Sequence, residues 1–325
     1  MTSPNPARRR SSRIRLIVGY AAILAILPYF TLKLFWIAGS TAGITSASSV
    51  DPAVIQGGNI VTAAMEIIAA LIIIAFTHAW GARIPVFLVL APTWVGTGLL
   101  APFVITGPVV AVSVLTGSAS VGDDSLAAWV GPLVYVGFGA QAIGIAASFV
   151  LYARDRWPHV LTGRVREHPV GPYQPVIAVF VRLATVLLAV VAAVRLPWAL
   201  GATWGLSPQL IESRGIAERL ADAGTALFAV AAAAGLFVIA FRRPQRQRTA
   251  LPLALGWIGG GAVFGNGLYP MTLLLAGVAG SGTNATQTGL VPFVDLLQIM
   301  TGVMIAVTGA FLLAELNAPT AKQQD

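Results

Sequence analysis

The chain has 325 residues, of which 57% are hydrophobic and only 10% charged, and its mean hydropathy is +0.81. A soluble domain carries about a quarter charged residues, so this composition excludes a water-solvated globule and places most of the chain in lipid. The formal charge of +8 does not point to nucleic acid, because the positions of the cations give it another meaning.

Eight apolar stretches are long enough for a bilayer core, which takes roughly 20 helical residues. In chain order they run approximately over 14–38, 60–80, 84–107, 127–152, 174–198, 222–241, 251–277 and 292–314. Backbone in lipid must satisfy its own hydrogen bonds, so runs this long and uniformly apolar predict helices and not barrel strands. The connecting segments are too short to fold as soluble domains. The first stretch follows an arginine cluster, Arg8, Arg9, Arg10, Arg13 and Arg15. That is the charge layout of a signal peptide, but the apolar run is too long for one and reads as a retained anchor.

With the N-terminus inside, the cytoplasmic segments hold that cluster, Arg83, Arg154, Arg156, Arg164, Arg166, Arg242, Arg243, Arg246, Arg248 and Lys322. These are fifteen of the twenty Lys and Arg, against Arg214 and Arg219 outside and Lys33, Arg182 and Arg195 within spans. The bias predicts that both termini are cytoplasmic and explains the basic balance by orientation and contact with anionic headgroups. Cysteine is absent, which excludes disulfides, thiol redox chemistry and thiolate metal sites. Eighteen arginines against two lysines, with abundant Ala and Gly, point to a high-GC bacterial genome and a plasma membrane.

Two short stretches repeat. "KLFWIAGSTAGI" at 33–44 and "RLPWALGATWGL" at 195–206 share a cation, Leu, Trp, Gly, Thr and Gly at matching places, 162 residues apart. Further matches follow in order: "AALIIIAF" (69–76) with "AGLFVIAF" (234–241), "GTGLLAP" (96–102) with "GNGLYP" (265–270), and "GPLV" (131–134) with "VPFV" (291–294). The expected architecture is therefore all-α: eight transmembrane helices as two parallel four-helix repeats, 1–153 and 174–325, joined by a basic cytoplasmic linker at 154–173. An even number of spans in each copy relates them by an axis along the membrane normal.

The doubled stretch is then the outer end of the first helix of each copy. Lys33, about 28 Å along its helix, is placed to snorkel to the outer headgroups, and Trp36 and Trp198 to join the aromatic belt. Gly39, Gly43, Gly201 and Gly205 give the chain its exit from the helix. Anchoring explains this chemistry; the alternative is a pair of cations that guard an outer vestibule and attract an anion. The [KR]-L-x-W-x-x-G cap, with the Gly-Ala-Arg-Ile-Pro turn at 81–85, resembles multi-spanning actinobacterial membrane proteins. The resemblance covers a small part of the chain and implies a membrane fold without an activity.

Ionisable groups inside a bilayer are costly and mark function by default. Glu66, in the outer part of the second span, and Asp295, at the start of the eighth, join Lys33 and Arg195 as an outer polar cluster. It reads either as ion pairs fastening the halves or as a polar cavity, with snorkelling a third reading for Asp295. Arg182 is expected to reach back to the cytoplasmic interface. The third and seventh spans carry matched Gly/Pro interruptions, the places where carriers break a helix to expose backbone to substrate. Trp94, Thr97, Asn266 and Tyr269 are the candidate substrate-binding residues there, with close packing of small residues the alternative. Gln141 and Gln298 suit interhelical hydrogen bonds, and Asp123 and Asp124 a solvated loop.

The three histidines, His78, His159 and His168, all fall at cytoplasmic ends. The four-plus-four layout resembles haem A synthase in outline, but without histidine in the membrane its chemistry is not expected. No lysine for a retinal Schiff base lies in the last span, and no paired-aspartate motif, Ser–His arrangement or phosphate-binding loop occurs. No catalytic residue, metal or cofactor is therefore expected. Three functions remain: a carrier or permease for a small molecule, anionic or amphipathic, bound between the repeats; a non-catalytic subunit or scaffold that docks a protein partner on the basic cytoplasmic segments; and a membrane enzyme with a sparse site.

Overall fold

The computed structural model describes residues 6–45, 52–116, 126–167, 171–275 and 289–317. They form an all-α polytopic membrane protein whose eight long helices are each apolar and long enough to span a bilayer. We label these α1 (Pro6–Ile37), α2 (Pro52–Thr77), α3 (Val86–Leu115), α4 (Val130–Arg156), α5 (Gln174–Ala199), α6 (Ile216–Phe241), α7 (Ala250–Leu275) and α8 (Val291–Asn317). Asp123, Asp124, His168 and Lys322 lie outside the described residues.

Several boundaries differ from expectation, and two of them matter here. α2 begins at Pro52, eight residues before the expected start, so its apolar window runs from Gln56 to Thr77. α3 continues to Leu115 through Pro92, Pro102 and Pro108. A proline removes one backbone donor, which in water often ends a helix. In lipid the remaining groups have no water to turn to, so the helix persists and threonine hydroxyls turn back onto its own carbonyls. Thr93 Oγ1 donates to the Val89 carbonyl and Thr106 Oγ1 to the Pro102 carbonyl, at 3.1 Å for the latter.

The helices alternate in direction, so one end of the bundle carries most of the arginines and the other the two glycine caps. At the basic end Arg15 Nε donates to the Phe76 carbonyl at 3.1 Å and Arg15 pairs with Asp155 at 2.7 Å, tying α1 to the ends of α2 and α4. Arg182 lies over the ring of Phe241, the last residue of α6. The segments after α4 and α6 are tied together: Val165 N donates to Gln247 O at 3.0 Å, and Thr249 N to Gly163 O at 3.1 Å.

At the opposite end the two caps close in the same way. Gly39 and Gly43 have φ of +86° and +73°, and Gly201 and Gly205 have +101° and +73°, a left-handed conformation that disfavours any side chain. The Trp36 indole donates to Ala42 O at 2.7 Å, and the Trp198 indole to Trp204 O at 3.0 Å. Gly43 O accepts from Ala127 N and Gly205 O from Leu290 N, each at 2.8 Å. Each cap thus pins the entry of the fourth helix of its half. Both tryptophans are buried, at 6% and 0% exposure. Both rings therefore face the protein, because an indole N–H that closes a turn sits inside it.

Within α1–α4 the main contacts run α1 to α2, α1 to α4 and α3 to α4; within α5–α8 they close a ring. The halves meet chiefly along α3 and α7. Small residues let those two backbones touch. A Cβ on Gly98 would lie 1.9 Å from Gly261 O, and one on Gly265 2.9 Å from Leu99 N.

Candidate functional site

The four ionisable residues expected as one outer cluster form two separate groups, one in each half. In the first, Lys33 Nζ donates to Glu66 Oε1 at 2.7 Å. Lys33 is 1% and Glu66 5% exposed, so the snorkelling expected of Lys33 is corrected. A helical side chain leans back toward the N-terminus of its helix, and here that direction leads down α1 and into the bundle. The ammonium lies 4.3 Å from the centre of the Tyr29 ring, one turn earlier, and 5.5 Å from that of Phe138 on α4. Phe138 packs against Phe103 of α3, with ring centres 4.8 Å apart.

Along α1, Lys33 is four residues from the end of its apolar window, whereas Glu66 is central in that of α2. It stands ten residues after Gln56 and eleven before Thr77, the middle of the apolar window of α2. Its second carboxylate oxygen, Oε2, is buried without a hydrogen-bond partner. This is therefore a buried charged pair between two membrane-spanning helices, held in an aromatic surround, with one carboxylate oxygen unpartnered.

The second group is larger. Arg195 of α5 donates through Nε to Gln298 Oε1 at 3.2 Å and through one terminal nitrogen to Asp222 Oδ1 at 2.8 Å. Its other terminal nitrogen donates to Asp295. Arg214 completes the group by pairing with the free oxygen of Asp222. The flat guanidinium fork reaches these three partners from three separate nitrogens, a spread that the single nitrogen of an ammonium lacks. The group ties α5, α6, α8 and the 207–215 connection together. Neither group joins one half to the other, so the expectation that the pairs fasten the halves is corrected.

The expected substrate residues on α3 and α7 are dispersed. Trp94 is buried in the seam, where its indole donates to Trp257 O at 3.0 Å and its ring stacks on Phe264 with centres 5.2 Å apart. Asn266 turns into the second half and donates to Thr225 Oγ1 of α6 at 2.9 Å. Thr97 is half-buried, and Tyr269 is 47% exposed. Gln298 is fully buried; its oxygen accepts from Arg195 and its Nε2 has no partner. Among the described residues no three His, Cys, Asp or Glu side chains converge.

Sequence reasoning passed over three features. Asp222 and Arg214 are central to the second group; two acids and two arginines within one half carried a signal only if counted by half. Tyr29 and Phe138 surround Lys33, and aromatic residues in apolar helices do not stand out. The third is a better match between α3 and α7: "WVGTG" at 94–98 and "WIGGG" at 257–261. Its spacing of 163 is also the spacing at which the caps bind Ala127 and Leu290. It sets Thr97 opposite Gly260 and replaces the expected pairing of Thr97 with Asn266.

No family model matches the sequence, no curated protein matches it, and no solved structure matches the fold.

Proposed function

We propose that the protein is a carrier or permease for a small molecule, built from two parallel four-helix repeats that rock about the α3–α7 seam. The observation that carries the reading is the Lys33–Glu66 pair, buried between two apolar helices. Burying an ion pair in an apolar medium costs more than packing hydrocarbon of the same volume, and such groups in membrane helices serve ion or substrate pathways. Glu66 is the coupling acid. Protonation at its unpartnered oxygen neutralises the carboxylate, frees the ammonium and alters how α1 holds α2.

Several observations support the repeat. The caps share one hydrogen-bond pattern, and Gly98 touches Gly261, its own counterpart at the spacing of 163. A residue that meets its own copy lies on the two-fold axis, so the seam is the natural fulcrum. Substrate passes beside it, where Tyr269, Thr97, Asn266 and Trp94 are the lining candidates. Orientation follows the cation bias, with both termini cytoplasmic in a bacterial plasma membrane.

A second reading, a non-catalytic membrane subunit or scaffold, is favoured by the ordered basic face. An antiparallel bridge sets Arg164 beside Arg248, and both are exposed. Native mass spectrometry of the protein released gently from its own membranes separates the two. A reproducible small-molecule adduct, weakened by Asn266→Ala or Tyr269→Ala, is the carrier result. A stoichiometric protein partner without an adduct would overturn the carrier and support the scaffold.

A further inference from the structure

The two halves differ in one place. In the second half α6 and α7 touch along their lengths: a Cβ on Gly235 would lie 2.4 Å from Gly256 N, and one on Gly259 2.5 Å from Phe228 O. In the first half the counterpart of Gly259 is Gly96, and a Cβ there would meet nothing within 4 Å. α2 leans on α1 and α4 and touches α3 only slightly. The result is a cleft of about 330 Å³ between α2 and α3, walled by Leu71, Ala75, Trp80, Ile84, Leu88 and Pro92.

This cleft is mainly apolar and opens onto the outer surface of the bundle, since Leu71, Leu88 and Trp80 are 58%, 55% and 47% exposed. Its two helices are joined at the basic end by the short 3-10 helix Ala79–Arg83. Trp80 and Ile84, which line the cleft, bracket the exposed Arg83. The site therefore has two parts at one end: a slot for hydrocarbon, and a cation with an indole at headgroup level.

We propose that the cleft holds one acyl chain of an anionic phospholipid, with its phosphate on Arg83 and its glycerol region against Trp80. A guanidinium suits a phosphate because its N–H groups match two phosphate oxygens. The run from Ile68 to Ala75 extends about 10 Å along α2, which accommodates the upper part of a chain below its headgroup. Among the described residues the corresponding helices of the second half, α6 and α7, are closed against each other at Gly235 and Gly259. The site is independent of the carrier reading.

The test uses the full chain in detergent, stripped of lipid, then offered phosphatidylglycerol or phosphatidylcholine in mixed micelles and weighed by native mass spectrometry. The unaltered protein retains one phosphatidylglycerol in preference to phosphatidylcholine. Leu71→Trp and Leu88→Trp fill the slot from exposed positions and lower retention about tenfold, as loss of one buried chain segment implies. Arg83→Glu lowers phosphatidylglycerol retention about tenfold, the worth of a charge-assisted bond, and narrows the preference over phosphatidylcholine, whose choline already offsets its phosphate. Val186→Trp, on the exposed face of α5, retains the lipid. Equal retention in the slot variants and in the unaltered protein would overturn the site, as would equal loss in Val186→Trp. No preference for phosphatidylglycerol would overturn the occupant.

Discussion

Lys33 and Glu66 meet at 2.7 Å with both side chains more than nine-tenths buried, between two membrane-spanning helices. Removing one partner leaves the other charge without compensation, at a cost of about 3–5 kcal/mol. Lys33→Met and Glu66→Leu alone should each lower the melting temperature in detergent sharply. Combined, they should recover most of the loss, because the site becomes apolar on both sides. A double variant no more stable than either single one would show that the pair does not act as a unit.

Two glycines two residues apart on α3 should respond in opposite ways. Gly96→Ala meets open space, so it should be neutral or slightly stabilising, as alanine favours helix by about 1 kcal/mol. Gly98→Ala drives a methyl into the Gly261 carbonyl. Backbone must part for it, at a cost of about 1–3 kcal/mol or more. Thermal unfolding of the two variants side by side reads the seam directly; equal melting temperatures would deny the close approach of α3 and α7.

Arg195→Lys keeps the charge and loses the fork. Asp222, Asp295 and Gln298 then compete for one ammonium, leaving at least one buried group unpaired at about 1–3 kcal/mol. The substitution should be as damaging as Asp222→Asn, and a melting temperature within a degree of the unaltered protein would show the cluster to be loosely held.

Orientation is accessible because the chain has no cysteine. With a cytoplasmic N-terminus, Thr41→Cys in the first cap should react with a membrane-impermeant maleimide in intact cells. Arg243→Cys, at the basic end, should react only after the cells are opened. The reverse pattern would invert the topology.

The spans were legible because lipid imposes one rule on every residue of a stretch, and the caps because a cation, a tryptophan and two glycines at fixed places are hard to repeat by chance. Lys33 was misjudged for a physical reason: position along a helix gives depth, but the direction of a side chain depends on what the neighbouring helix offers, and α2 was drawn too short. The register of α3 against α7 was missed because alignment by proline followed the interruptions. The tryptophan-glycine motif that makes the contact was the better guide. The division of the charges into two groups depends on helix packing, which periodicity does not encode.

The central claim is that the two halves move about the seam under control of Glu66. Thr41 and Thr203 occupy matching, exposed places in the two caps, so spin labels on cysteines there report the separation of the halves by pulsed electron paramagnetic resonance. In lipid, the unaltered protein should give two distance populations, and Glu66→Gln, which stands in for the protonated acid, should shift the balance toward one. A single narrow distance that Glu66→Gln leaves unchanged would contradict the account and mark the bundle as a rigid membrane scaffold.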